Sequence, residues 1–164
     1  MRGSAQSLRP RAAMLLKMPA RTTAKSTSKR PVLYVGDDGE SLAVVKQVLA
    51  GRKNLLLWQA ADIDTALQLA RRGRPEVMLV DIDLAGCAAG PLMQLLRADP
   101  ATQSTPILAE GADTAPAAAV KILEAGFFQY LAKPMLAGPF AEALDYALEF
   151  AALEVAEQSS NDSR

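Results

Sequence analysis

The stretch VMLVDIDLAG, Val77 to Gly86, runs four apolar residues into two aspartates separated by a single isoleucine. Apolar residues in succession read as a strand buried on both faces, the pattern of a parallel sheet with helices above and below. A carboxylate at the carboxyl end of such a strand stands at the rim where open α/β sheets bind ligands. Asp81 and Asp83 are therefore either site residues or ordinary turn chemistry, since aspartate is common where strands end.

Working outward, the same rhythm recurs on both sides. VLYV (32–35) is a strand that runs into GDDGE, and Leu42, Val45 and Leu49, with Val44 and Val48 beside them, predict a helix from Glu40 to Ala50 that stops at Gly51. NLLLWQA (54–60) reads as a second strand, followed by a helix over DIDTALQLARRG (62–73) with Ile63, Leu67 and Leu69 in its apolar stripe. EVMLV (76–80) is the third strand, PLMQLLRAD a short helix and PILAE (106–110) the fourth strand. APAAAVKILEAG (115–126) is a helix, FFQYLA (127–132) the fifth strand, and Pro139 to about Val155 a final long helix. Five β-α units with short connections predict one α/β domain over residues 31–155, a parallel sheet covered on both faces, with residues 156–164 as a polar fray.

Composition narrows the chemistry. A chain of 164 residues, half of them apolar, suits one domain with a real core, and no apolar run is long enough to span a membrane. The single Cys87 excludes an internal disulfide and a cysteine-rich zinc site, which fits a reducing cytosol. With no histidine, Ser-His-Asp and Cys-His catalysis and most transition-metal sites are excluded. Residues 1–30 hold eight Lys or Arg and no acid, leaving a net charge of −8 on the remainder. They read as a disordered basic arm, with three further readings open: a nucleic-acid-contacting tail, a transit peptide, or an over-long start whose true beginning is Met18.

In a parallel sheet the carboxyl ends of all strands share one rim. Read in order they are Gly36-Asp37-Asp38, Gln59-Ala60, Asp81-Ile82-Asp83, Glu110-Gly111-Ala112 and Lys133-Pro134. Carboxylates crowded at one rim raise one another's pKa unless a cation compensates them. A hard divalent ion such as Mg²⁺ and an ammonium are the usual compensation, so the rim predicts an acidic, metal-binding pocket at Asp81 facing Lys133.

These residues resemble the receiver domain of two-component response regulators, through VLYVGDDG, PEVMLVDIDLAG, LRADPATQSTPIL, AGFFQYLAKP and the spacings between them. The resemblance covers about residues 31–150 and implies a flavodoxin-like sheet of strand order 2-1-3-4-5. It implies that Asp81 accepts a phosphoryl group, that Asp37 ligates Mg²⁺ and that Asp83 adds its backbone carbonyl. Lys133 would pair with the acceptor, Pro134 would follow a cis peptide bond, and Tyr130 would be the aromatic switch. Implied partners are a histidine kinase or histidine phosphotransfer protein and a downstream protein. A homodimer through the face of the fourth and fifth helices is a further implied contact. The product would be a cytoplasmic single-domain signalling protein, not a turnover enzyme, with no nucleic-acid-reading element.

Two positions depart from the family. Gly36 stands where an acid usually precedes the metal-binding aspartate, and Asp38, its other neighbour, is expected to point elsewhere. Gly111 stands where Ser or Thr usually bonds the phosphoryl group, after Glu110 at a position expected to be apolar. The loop after Asp81 also lacks the family's usual proline and acid-glycine pair. These departures keep a second reading open, a pseudo-receiver that binds protein without being phosphorylated. A phosphatase of the haloacid-dehalogenase type is a third, on the Asp-x-Asp motif alone. Taken singly, Asp37-Asp38 could be a turn and N-cap, Lys133 a surface lysine, Tyr130 and Trp58 core, and Cys87 inert.

Overall fold

The computed structural model describes residues 28–84, 86 and 88–163. The predicted basic arm lies outside them except for its last residues, and so does Cys87. Among the described residues five strands alternate with five helices: β1 (Arg30–Val35), α1 (Gly39–Ala50), β2 (Leu55–Ala60), α2 (Ile63–Gly73), β3 (Val77–Asp81), α3 (Ala89–Ala98), β4 (Ile107–Gly111), α4 (Pro116–Ala125), β5 (Gln129–Ala132) and α5 (Ala137–Asp162). The strands form one sheet of order β2-β1-β3-β4-β5, and every neighbouring pair is parallel. Among the described residues no helix is long and apolar enough to cross a membrane.

The two-residue period of the strands divides the core into two layers. Val32, Tyr34, Val77, Leu79 and Leu108 pack with Val45 and Leu49 of α1 and Phe140, Leu144 and Ala147 of α5. Leu33, Val35, Met78, Val80, Ile107 and Ala109 face Ala66 and Leu67 of α2, Leu92 and Leu96 of α3 and Ile122 of α4. Each fully buried aliphatic side chain here contributes about 1.5–3 kcal/mol of burial free energy. β3 is buried along its whole length, which explains its unbroken apolar run and seats Asp81 at its end.

The last helix is longer than the sequence predicts. It begins at Ala137 and continues to Asp162, so the segment expected to fray is helical through most of its length. Ala, Glu and Gln there are good helix formers, and the Ser160 hydroxyl bonds back to the Ala156 carbonyl at 3.1 Å. β1 likewise starts at Arg30, whose N–H donates to the Asn54 carbonyl at 2.8 Å.

Candidate functional site

Asp81 ends β3 with 3% exposure. Its Oδ2 lies 2.7 Å from Lys133 Nζ, and its Oδ1 accepts the Asp83 N–H at 3.0 Å. Lys133 follows β5, and the Lys133-Pro134 peptide bond is cis. Burial pulls the Lys133 ammonium down, but the hydrogen bond and charge of Asp81, then the charges of Glu110 and Asp83, outweigh it and leave the group above its ordinary value. The ammonium is thus held in its charged form against the buried carboxylate.

The other rim acids divide into near and far. Asp83 extends its carboxylate to the Ala112 N–H at 2.8 Å, which ties the loop after β3 to the loop after β4, and its Oδ2 is 3.7 Å from Lys133 Nζ. Asp37 is exposed and stands outside the Lys133 ion pairs. Asp38 does not point away as expected. It caps α1, its Oδ1 accepting the Glu40 N–H at 3.0 Å, while its Oδ2 lies 3.6 Å from Lys133 Nζ. A carboxylate has two oxygens, and at the first turn of α1 one serves the helix while the other faces the rim. Burial raises the Asp38 carboxyl, but the backbone N–H bonds of Glu40 and Ser41 and the Lys133 charge hold it below the ordinary value.

Beneath this rim lies a polar layer of which strand patterning marks only Glu110. Glu110, fully buried on β4, accepts the Tyr34 hydroxyl at 2.9 Å through Oε1. Ser41, 2% exposed on α1, directs its hydroxyl at Asp38 Oδ2, 3.4 Å away. Burial pushes the Glu110 carboxyl up, the Ser41 and Tyr34 hydroxyls partly offset this, and Asp81 raises it further. Burial and then Glu110 push the Tyr34 phenol up. A signal for this layer existed: an acid at an apolar strand position needs a buried donor, and Tyr34 shares its face.

Both glycines of the rim are close-packed. A Cβ at Gly36 would lie 2.6 Å from the Tyr34 hydroxyl and 3.2 Å from Asp81 Cβ. A Cβ at Gly111 would lie 2.9 Å from the Tyr130 hydroxyl and 3.1 Å from Ile82. Tyr130 donates to the Asp113 carbonyl at 2.5 Å. Trp58, half-buried, packs on the second core layer. The structure therefore brings Asp81, Lys133, Asp83 and Asp38 together, places Asp37 at the edge, and sets Gly111 and Tyr130 against each other.

Solved structures share this architecture. The receiver domain of a sensor histidine kinase from Pseudomonas aeruginosa, which has a magnesium ion coordinated in its active site cleft, is similar with a TM-score of 0.62 at 24% identity, covering 74% of this chain and 99% of that one. A chemotaxis response regulator of Vibrio cholerae is similar with a TM-score of 0.63 at 23% identity, over 74% of this chain and 100% of that one. A response regulator from Thermotoga maritima is similar with a TM-score of 0.65 at 17% identity, over 74% and 98%. Among curated proteins none matches the chain. The family model for the response regulator receiver domain matches residues 32–145, a span that holds all five strands but the first two residues of β1, together with Asp81 and Lys133. The chain belongs to the response regulator receiver domain family.

Proposed function

We propose that this receiver accepts a phosphoryl group on Asp81 from a histidine of a partner kinase or phosphotransfer protein and signals by protein contact in the cytoplasm. The observation that carries this reading is the buried Asp81 carboxylate with the Lys133 ammonium 2.7 Å from Oδ2. In the transfer, an Asp81 oxygen forms a bond to phosphorus as the bond from phosphorus to the partner's imidazole nitrogen breaks, and the electron pair leaves with that nitrogen. Lys133 neutralises charge growing on the phosphoryl oxygens, while the Asp83 N–H keeps the carboxylate oriented. Family membership accounts for the aspartate pair after β3 without a phosphatase motif.

The donor set fits Mg²⁺. Asp37 and Asp81 and the Asp83 carbonyl would hold it, and the ion would screen charge on the transferred group. Among the described residues no three acidic side chains converge tightly enough to hold a metal by themselves. The test is intact mass after incubation with Mg²⁺ and acetyl phosphate. A phosphoryl adduct is expected on the wild type and none on Asp81→Asn. Adduct formation unaffected by that substitution would refute the assignment.

One observation favours a phosphorylation-independent variant of the same module. The Tyr130 hydroxyl sits against Gly111, in space that a residue with a side chain would fill. Exposed Val120 and Leu123 on α4 and Tyr146 and Phe150 on α5 supply an apolar surface for a partner or a second copy. Partner binding that survives Asp81→Asn, in a chain that forms no adduct, would select this variant.

A further inference from the structure

Glu110 Oε2, closed inside the rim, is the one buried side-chain oxygen or nitrogen among the described residues without a hydrogen-bond partner. A second unpartnered feature lies at the opposite edge of the sheet. Ala151 is the last buried residue of α5, and residues 152–162 run on as helix past the core. They hold Glu154, Glu157 and Asp162 and no base, and Leu153 and Val155 among them are exposed. None of these acids forms an ion pair with a described residue. Acids at the carboxyl end of a helix oppose its macrodipole, which favours cations there. Helices also draw most of their stability from packing, which these turns lack. The end of α5 is short of both a cation and a cover.

One face of this overhang closes a groove of about 340 Å³. Ala151, Glu154 and Val155 stand on one side of it, and Pro75, Glu76 and Pro106, which precede β3 and β4, on the other. Asp162, seven residues after Val155, continues the helical face. Arg74 also lines the groove, so the excess of acid comes from the α5 side. Such a groove matches an occupant that carries both apolar and basic side chains.

The chain itself supplies one. Residues 1–27 hold Arg2, Arg9, Arg11, Lys17, Arg21 and Lys25, no acid, and the apolar run AAMLL at 12–16. They join the domain beside the groove. The Glu76 N–H donates to the Pro31 carbonyl at 2.8 Å, and the Arg30 guanidinium lies 3.8 Å from Glu76 Oε2. From Ala151 to Asp162 the helix rises about 16 Å, which an extended chain covers in about five residues. Length therefore does not limit the contact. Tethering sets a local concentration on the order of mM, so individually weak contacts suffice.

We propose that this groove, at the amino-terminal edge of the sheet, is the docking surface of the chain's own basic arm. Residues 12–16 fill the space between α5 and the starts of β3 and β4, while Lys17, Arg21 and Lys25 face Glu154 and Asp162. β3 enters at this edge with Val77 and ends at the other with Asp81. The docked arm leaves the acceptor open, and the inference does not depend on the acceptor reading.

The test uses the full chain with Cys87→Ser and a nitroxide on Ser159→Cys, an exposed position beside the groove face. Amide NMR signals of residues 12–25 should lose at least about half their intensity at low salt. They should recover near about 0.5 M salt, which screens surface charge. Lys17→Glu, Arg21→Glu and Lys25→Glu together should abolish the loss and speed amide exchange of residues 152–162 at least about fivefold. Adding Glu154→Lys and Asp162→Lys to that chain should restore both. Leu15→Ser with Leu16→Ser, which keeps the charge, should weaken the loss. Full intensity in the wild type, or a loss indifferent to charge reversal, overturns the proposal. So does equal broadening when a nitroxide chain is mixed with a separate ¹⁵N chain, which puts the arm on a second copy. Arm signals that respond only to added duplex DNA make it a nucleic-acid tail instead. Adduct formation with acetyl phosphate should stay within about twofold of wild type in the reversed arm. A wild type that forms no adduct refutes the acceptor reading, and the amide signals still decide this one.

Discussion

Gly36 follows and Gly111 ends the two strands that flank β3, and each has a tyrosine hydroxyl within 3 Å of where its Cβ would be. The two tyrosines are held differently. Tyr34 is fully buried and ends on the side chain of buried Glu110, whereas Tyr130 is half-buried and ends on the backbone carbonyl of Asp113 in the loop after β4. Behind the first gap stands Asp81 Cβ at 3.2 Å, behind the second the end of the Ile82 side chain. One gap is walled by core that cannot move, and the other by groups that can swing toward solvent. The same substitution should therefore have unequal effects at the two glycines.

The largest effect is expected at Gly36. An alanine there meets a fixed ring, and overpacking of that kind costs about 1–3 kcal/mol. Chemical denaturation should show the loss in Gly36→Ala and recover most of it in a Tyr34→Leu, Glu110→Leu background, where the space is vacated. Equal loss in both backgrounds would mean the glycine is needed for its backbone and not for the tyrosine.

The buried pair itself comes next. An unsatisfied buried oxygen costs on the order of 1–3 kcal/mol, while removing both partners of a buried hydrogen bond is nearly neutral or stabilising. Tyr34→Phe combined with Glu110→Leu should gain on the order of 1 kcal/mol at neutral pH. The pH dependence has a definite sign. Burial and the charge of Asp81 raise the Glu110 carboxyl in the folded state, so the fold binds that proton more tightly than the unfolded chain does. Its contribution is present below the unfolded carboxylate pKa and is lost as pH rises through the folded one. Melts from about pH 4 to pH 8 should show the double variant gaining on wild type as pH rises, starting above the ordinary carboxylate range. A gap independent of pH would place the benefit in packing.

The contrast also marks what a sequence can carry. The five strands, the order of elements and the meeting of Asp81 with Lys133 follow from apolar runs and strand ends, which are local patterns. Asp38 is not legible in this way, because the alternation of neighbouring residues at a strand end carries no sign of the α1 cap geometry, which turns one oxygen back to the rim. Gly36, Glu110 and Gly111 stood out as departures, but their tyrosine partners did not. Tyr34 to Glu110 is a contact 76 positions apart in the chain, created by the register of β1, β3 and β4. The length of α5 is hidden for a different reason, since its exposed last turns rest on helix propensity without an apolar stripe to announce them.

The smallest effect on stability belongs to Gly111. A threonine there would press on the tip of Tyr130 and the end of Ile82, both ends of rotatable side chains, so Gly111→Thr should change stability by less than about 1 kcal/mol. Its consequence is conformational. Tyr130 can clear the new side chain by giving up its bond to the Asp113 carbonyl and turning outward, which creates two tyrosine positions where one sufficed. A phosphoryl group then has something to act on, because the threonine hydroxyl can bond it and draw the loop inward, making room for the ring again. A ligand shifts an equilibrium only through its unequal affinity for the two states, and one charge-assisted hydrogen bond supplies about 1.5–3 kcal/mol of that inequality. Beryllofluoride added to Gly111→Thr should therefore produce larger NMR shifts around Tyr130 than in the wild type. If the wild type shows the larger response, Tyr130 is not parked by Gly111, and the loop after β4 reads the acceptor through backbone alone.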